Sequence, residues 1–509
     1  MRVVIVGGGT AGWMAAAGIR QQLPPEDYSV VLIESDEIGT VGVGEATLPH
    51  IKRFNDLLGI DEAHFMRETR ATFKLGIQFR DWDRPGDCYI HPFGAFGEPW
   101  GGVEFQQHWL RASQAGRQHC SLQDYSYAVV AARNDAFEFP SDSQDPIAST
   151  YVYAYHFDAG LYAAYLRSWA MRRGVRRVEG QVCDVSRNAA TGDLVELTLK
   201  SGERIAGDLF IDCSGFRSVL LGGTLGVAWQ DWTHWLPCDR ALAIPSKKID
   251  ALTPYTRATA RRAGWTWRIP LQHRTGNGYV FCSHFISDTD ARDTLLAALD
   301  GPVQGEPRLL RFSPGRRKSA WCGNCVGIGL ASGFLEPLES TSIFLIQAAV
   351  MDLIDLMPTP GSTRPDPRLA AEFNRLNELQ YGRIRDFLVL HYIANSRIGE
   401  PLWDYVRAMP LPDSLAHRLQ LFRSRAALPS YQYGLFSRDS WLSVLMGQGI
   451  IPQGYDRLAD AFALPTLEAR LKDIRDRIQT NVGAMSSHGA FIAKYCQAVE
   501  ATASGETVA

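Results

Sequence analysis

The 509 residues are enough for a large core shared among two or three subregions. A formal net charge of −3 argues against a nucleic-acid or polyanion partner, and no apolar run reaches membrane-spanning length. Nine cysteines, an odd count without regular spacing, describe no disulfide framework and predict a reducing, cytoplasmic setting with no metal centre.

The chain opens on VVIV (3–6), an apolar run of the kind that forms a buried parallel strand. Gly7, Gly9 and Gly12 follow in GxGxxG spacing, interleaved with Thr10 and Ala11 and followed by Trp13. A helix is expected through about residue 21, and a second strand over 29–33 ends at Glu34, about 20 residues beyond Gly12. Together these form a dinucleotide-binding fingerprint. Glycines let the backbone approach a pyrophosphate, the helix N-terminus faces the phosphates, and Glu34 reaches ribose hydroxyls. The glycine-rich GTVGVGEATLP (39–49) then stands where an ordinary second βαβ unit would begin. Such a loop suits a flat ring, where side chains would obstruct. Later, GDLFIDCSG (207–215) is a strand ending in Asp-x-Ser-Gly at Asp212, as in FAD enzymes of the glutathione-reductase type. No second fingerprint follows a strand, so one FAD and no resident NAD(P)H site are expected.

Residues 51–80 read as helices ending in ATFKLGIQF, with Lys74 in an apolar, turn-rich setting. On composition alone such a lysine is a solvated surface residue. His91 and Phe93 alternate, so on an extended segment they share one face, as a wall for a flat ligand or as core. AYHFDAGLYAAYLR (154–167) predicts a short strand and a helix capped at Asp158, and 175–199 an antiparallel meander. In GWTWRIPL (264–271), Trp265, Trp267 and Ile269 face one side of a strand. WCGNC puts Cys322 and Cys325 at redox spacing, but they run into a strand rather than opening a helix, so no redox role is assigned.

Residues 333–342, GFLEPLESTS, lie between a strand-like run at 326–330 and a helical pattern at 343–356. Glu336 and Glu339 flank Pro337 beside free backbone N–H groups able to hold an anion. From 343 onward the chain reads as mainly helical, with Leu467, Leu471, Ile474 and Ile478 on one face and a disordered tail at 501–509.

These segments together resemble the flavin-dependent halogenases of the tryptophan halogenase family. The matching motifs are GGGTAGW (7–13), GVGEAT (42–47), FKLG around Lys74, HPF (91–93), YHFDA (155–159), GWTWRIP (264–270) and GFLEPLEST (333–341), in the family's order. The WxWxIP pattern, joined by the lysine and the EPLES segment, is far more specific than GxGxxG. The resemblance implies that FADH2 from a separate NAD(P)H-dependent flavin reductase, with O2 and chloride or bromide, yields hypohalous acid. That species travels inside the protein to an aromatic ring, directed by Lys74, which hydrogen-bonds it or forms a haloamine. Glu339 would stabilise the cationic arenium and take its proton. Thr341 and Ser342 would hold the halide; Glu336 is expected to be structural. Gly42, Gly44, Glu45, Ala46, Thr47, Asp212, Gly329 and Leu338 are assigned to the cofactor, and His91, Phe93, Glu339 and Trp441 to a small aromatic substrate. Trp265 and Trp267 would wall off the space through which monooxygenases admit substrate.

Two departures from the family pattern bear on specificity. Ser342 stands where the family usually has Gly, which predicts altered halide preference, toward bromide. The segment ALPSYQYGLFSRDSW (427–441) looks shorter than the family's amino-acid clamp, and Tyr431, Tyr433, Phe436 and Trp441 do not reproduce its pattern. Indole or a larger indole-like compound is therefore expected rather than free tryptophan. The fold class expected is α/β: a glutathione-reductase-type FAD module over 1–345, with substrate-site segments at about 50–155 and 220–320, an antiparallel substrate-side sheet, and a mainly helical region over 346–509. Homodimerisation stays open. The competing readings are a flavin monooxygenase that hydroxylates an aromatic ring and a flavin-binding protein without catalysis; Lys74 and Glu339 together argue against the latter.

Overall fold

The computed structural model describes residues 1–37, 44–117, 120–141, 150–361, 365–430 and 434–498. Gly42, Tyr431, Tyr433 and the expected disordered tail lie outside them.

A six-stranded sheet is built on Arg2–Val6, with Leu209–Asp212 and Ser29–Glu34 as its parallel neighbours. Alternation along the first strand sends Val3 and Ile5 to one face and Val4 and Val6 to the other, each into a different apolar cluster. Covered on both faces, the strand has no room for a polar residue, which is why its sequence is continuously apolar. Helix Thr10–Gln22 packs on one face between helices Ala159–Met171 and Ser342–Asp355. The antiparallel meander of Val182–Arg187, Leu194–Leu199 and Arg204–Ala206 covers the other. Arg176–Glu179, expected in that meander, instead pairs parallel with Ser29–Glu34 at the edge of the large sheet.

A seven-stranded sheet, antiparallel except where Tyr255–Arg261 meets Gly76–Arg80, runs from Arg308–Arg311 to Cys88–Pro92. It carries Trp265 and Trp267 on Gly264–Pro270 and His91 on its edge strand. One sheet therefore holds elements of two separate regions in fixed relation.

The expectation for 51–80 needs correction. Helices His50–Leu57 and Glu62–Glu68 form, but the rest of the segment is strands Thr72–Lys74 and Gly76–Arg80. Thr72–Lys74 is an edge of a three-stranded sheet whose central strand, Ala154–Asp158, also pairs Gly44–Ala46. Lys74 sits opposite Ala154 on a strand, fully buried. The free edge is covered from afar: His488, buried at the start of helix His488–Tyr495, accepts the Phe73 N–H at Nε2 (3.1 Å) and faces Leu252 O with Nδ1 (2.8 Å). Burial holds the His488 imidazole down at about 4, so it is neutral at ordinary pH with its hydrogen on Nδ1.

Helix Leu464–Gly483 buries Leu467, Leu471, Ile474 and Ile478, as the spacing predicts. Cys322 and Cys325 face each other across a tight hairpin, both free. Among the described residues no helix is long and apolar enough to cross a membrane.

The fingerprint glycines differ in what they do. A Cβ at Gly12 would lie 1.8 Å from Gly7 O, whereas one at Gly9 would meet nothing within 4 Å. Gly12→Ala is expected to destabilise the apoprotein by about 1–3 kcal/mol, while Gly9→Ala leaves it unchanged. Urea unfolding midpoints of the two variants without cofactor check this.

Candidate active site

A cleft of about 800 Å³ opens over the end of strand Arg2–Val6. Its floor is the Gly7–Gly9 turn and the first turn of helix Thr10–Gln22, where unsatisfied N–H groups and the helix dipole favour an anion. Gly9 caps that helix, and the empty space at its Cβ position is part of the cleft, as close backbone approach by a pyrophosphate requires. Glu34 lies at one end. Its Oε1 pairs with Arg177 Nε at 2.5 Å and its Oε2 accepts from Trp13 Nε1 at 3.2 Å. The opposite wall is Trp265, Trp267 and Ile269, on one side of their strand as the alternation predicts. A dinucleotide with a flat ring fits this combination of glycine cradle, helix end, ribose-facing acid and apolar wall.

At the far end the cleft is closed by Pro337, Leu338, Ser340, Ser342 and Ile343. Pro337–Glu339 forms a single 3₁₀ turn, and Ser340 then adopts the left-handed conformation (φ 59°) before helix Ser342–Asp355 starts. A non-glycine residue pays for that conformation, and Ser340 holds it in a fixed contact. Its Oγ accepts from Lys74 Nζ at 2.8 Å, and Thr47 O accepts from the same nitrogen at 2.9 Å. Ser340 lines the cleft and Lys74 does not, so the segment is a partition with the amine behind it. The Thr341 hydroxyl is buried beside it without a partner.

Behind the partition, Glu339 is fully buried between two imidazoles. His91 Nδ1 is hydrogen-bonded to Oε2 at 2.8 Å, and His391 Nε2 lies 2.8 Å from Oε1. Burial would raise this carboxyl, but the two histidines override it and pull it down to about 2. Burial lowers the Lys74 ammonium to about 7, with the Glu339 charge opposing. Glu336, only three positions away, accepts from Tyr392 OH (2.9 Å) and Trp265 Nε1 (3.3 Å); burial raises it to about 7. It fixes one wall of the cleft, in keeping with a structural role.

Aromatic rings surround the lysine side. Phe93 lies 4.9 Å from Lys74 Nζ and 6.4 Å from His91, and Phe436, stacked on Phe387 at 3.8 Å, lies 6.1 Å from His91. Leu48, Phe93 and Ala154 form an apolar cluster on which the partly exposed Phe344 and Leu435 pack, so an apolar face opens next to the amine.

Among residues assigned to the cofactor, Thr10, Ala11, Gly44, Glu45, Ala46 and Leu338 border the cleft. Three do not. Asp212 is buried with both oxygens committed, Oδ1 to Ser214 and Oδ2 to the Leu220 and Leu221 N–H groups at 2.8 Å, so it shapes the loop whose Cys213, Ser214 and Gly215 face the cleft. Thr47 spends its hydroxyl on Tyr155 and its carbonyl on Lys74, which moves it to the lysine side. Gly329 packs against Ala11 and Ile346 instead of facing the cleft. Trp441 is buried edge-on against Phe387 (4.9 Å), beneath Arg418, and Phe387 in turn lies 5.6 Å from His91. Sequence reasoning missed Ser340, Phe387 and His391. Nothing in the chain announced a left-handed Ser340, and His391 sits in FLVLHYI, where a lone histidine on an apolar helix face reads as core.

The family described as tryptophan halogenase matches residues 2–464. Tryptophan 6-halogenase SttH of Streptomyces toxytricini is 36% identical, covering 98% of this chain and 99% of its own. Among solved structures, the flavin-dependent halogenase BrvH from Brevundimonas sp. BAL3 superposes with a TM-score of 0.93 at 41% identity, covering 97% of this chain and 98% of its own. A flavin-dependent halogenase from Xanthomonas campestris gives 0.93 at 44% identity, covering 98% and 99%. The hydroxylating and non-catalytic readings find no support in these relatives. The chain belongs to the tryptophan halogenase family and is a flavin-dependent halogenase.

Proposed function

We propose that the protein halogenates an indole-type ring at the Lys74–Glu339 site, with the flavin held in the cleft across the 337–342 partition. The observation that carries this reading is the Ser340 link, whose one residue borders the cleft and holds the Lys74 amine. Reduced flavin, supplied by a separate reductase, provides hypohalous acid from O2 and halide. Gly9 and the helix behind it would hold the pyrophosphate, and Glu34 a ribose. The Thr341 and Ser342 N–H groups, with the orphan Thr341 hydroxyl, would hold the halide.

The chain's own residues then act on the far side. A neutral Lys74 amine has two N–H groups, matched by Thr47 O and Ser340 Oγ, and a lone pair left over. That lone pair attacks the halogen of hypohalous acid: an N–halogen bond forms, the halogen–oxygen bond breaks, and water leaves with a proton from the nitrogen. Transfer of the halogen to the ring carbon, with a proton taken up by the nitrogen from water, returns the amine and leaves a cationic ring. The Glu339 carboxylate stabilises that cation and accepts its proton. The apolar face around Phe93, Phe344 and Phe436 suits a flat ring and supports indole over an amino acid.

The direct test combines protein, a flavin reductase, NADH, FAD, bromide and indole, with products read by mass spectrometry. A bromine isotope doublet is expected from the wild type and none from Lys74→Ala, whose flavin binding and reoxidation stay normal. Regioselective bromination by Lys74→Ala would sink the role given to the amine.

With the amine near 7, its nucleophilic form grows as pH rises from weakly acidic to weakly basic. Bromination per hypobromous acid formed should therefore increase across that interval. A rate that falls instead would mean the ammonium, acting by hydrogen bonding, is the working form.

Ser342 adds a Cβ and a hydroxyl at the halide position. We expect bromide to be preferred over chloride at matched concentrations, and Ser342→Gly to move the ratio toward chloride. Competition assays that find chloride equal or better in the wild type would remove this role.

A further inference from the structure

His391 constrains where protons reside around Glu339. Its Nδ1 lies 2.8 Å from Phe387 O, an atom that only accepts, so Nδ1 carries a hydrogen. Its Nε2 approaches Glu339 Oε1 at 2.8 Å, while neither atom has an aligned hydrogen-bond partner. Two bare lone pairs so close would repel, so the pair owns a second proton, as imidazolium with carboxylate or as imidazole with carboxylic acid. The surroundings favour the ion pair. His91 already pulls the carboxyl toward its ionised form from Oε2. The His391 ring is enclosed by the rings of Phe79 (4.8 Å), Phe387 (5.1 Å) and Trp82 (5.9 Å); this enclosure opposes either charge alone and is offset by the close approach of the two.

The other titratable groups nearby do not supply the missing counter-charge. Tyr89 is pushed far up by burial and by Glu339, so it stays neutral. Tyr392, the next residue, turns its hydroxyl to Glu336. Lys74 answers to Thr47 and Ser340. Glu339 is thus the counter-ion of His391.

We propose that His391 is a positioning residue for halogenation: as an imidazolium on Oε1 it keeps Glu339 ionised and fixed in plane between two rings. This rests on the role proposed above for Glu339. In the step served, the ring C–H bond breaks, its electron pair restores aromaticity, and the proton forms an O–H bond on Glu339. His391 keeps its own proton throughout.

The test is the pH profile of indole bromination, with reduced flavin in excess, for His391→Phe, His391→Gln and Glu339→Gln. In His391→Phe only His91 opposes burial, so Glu339 takes up a proton as the medium becomes weakly acidic. The expected result is that the acidic limb already set by Lys74 steepens, with an additional loss on the order of 10²-fold in kcat at its foot, while KM for indole and FAD affinity stay unchanged. His391→Gln, which keeps an N–H but no charge, should show the same limb with a smaller loss. A profile that keeps the wild-type shape, or a loss confined to KM and thermal stability, overturns the inference. If His391→Phe does not fold, the His391→Gln profile decides alone. Glu339→Gln separates the two levels: a wild-type rate there overturns the role of Glu339 itself, while a slow Glu339→Gln beside an unshifted His391 profile removes only His391.

Discussion

A buried amine is the constraint on which the rest of this structure turns. An ammonium taken out of water without partners costs several kcal/mol, and Lys74 is wholly inside the protein. Its two hydrogen-bond acceptors come from Thr47, just after strand Gly44–Ala46 of the cleft wall, and from Ser340, in the partition itself. Neither acceptor exists in place until the cleft has been built. The lysine is therefore satisfied only in a molecule whose flavin side is already formed, and the two sites are coupled by the need to solvate one nitrogen.

The partition also shows how two chemically identical side chains acquire opposite characters. Glu336 and Glu339 bracket one 3₁₀ turn, and both are fully buried. Glu336 meets neutral donors, a phenol and an indole, which cannot offset desolvation, and it moves up to about 7. Glu339 meets two imidazoles and moves down to about 2. Carboxyls driven apart in this way suit different jobs, here a brace behind a tryptophan and a charge held between two histidines.

The fingerprint was legible because its physics is local: the apolar strand, Gly7, Gly9 and Gly12, and Glu34 do their work within one supersecondary unit. The Trp265–Trp267–Ile269 face was equally plain from alternation. Asp212 was less legible because a strand-end aspartate has two outlets, cofactor or loop backbone, and its bonds to Ser214, Leu220 and Leu221 depend on the turn of 213–221. Thr47 was less legible for a similar reason, since its side chain and carbonyl point to a strand and a lysine distant in sequence. Lys74 was expected near a turn because TFKLG has too few residues to declare a strand. Its edge pairing comes from Ala154–Asp158 and its cover from His488, neither visible in a local window.

That cover has a temporal side. The hydrogen bond from Phe73 to His488 spans 415 positions of chain. A contact of such separation is entropically expensive to close and forms late in folding. During synthesis the strand bearing Lys74 emerges early and waits, its outer edge open, until residue 488 has left the ribosome. A half-made chain thus holds a flavin fold in prospect but no clamped amine, so the reactive centre is among the last parts of the molecule to become real.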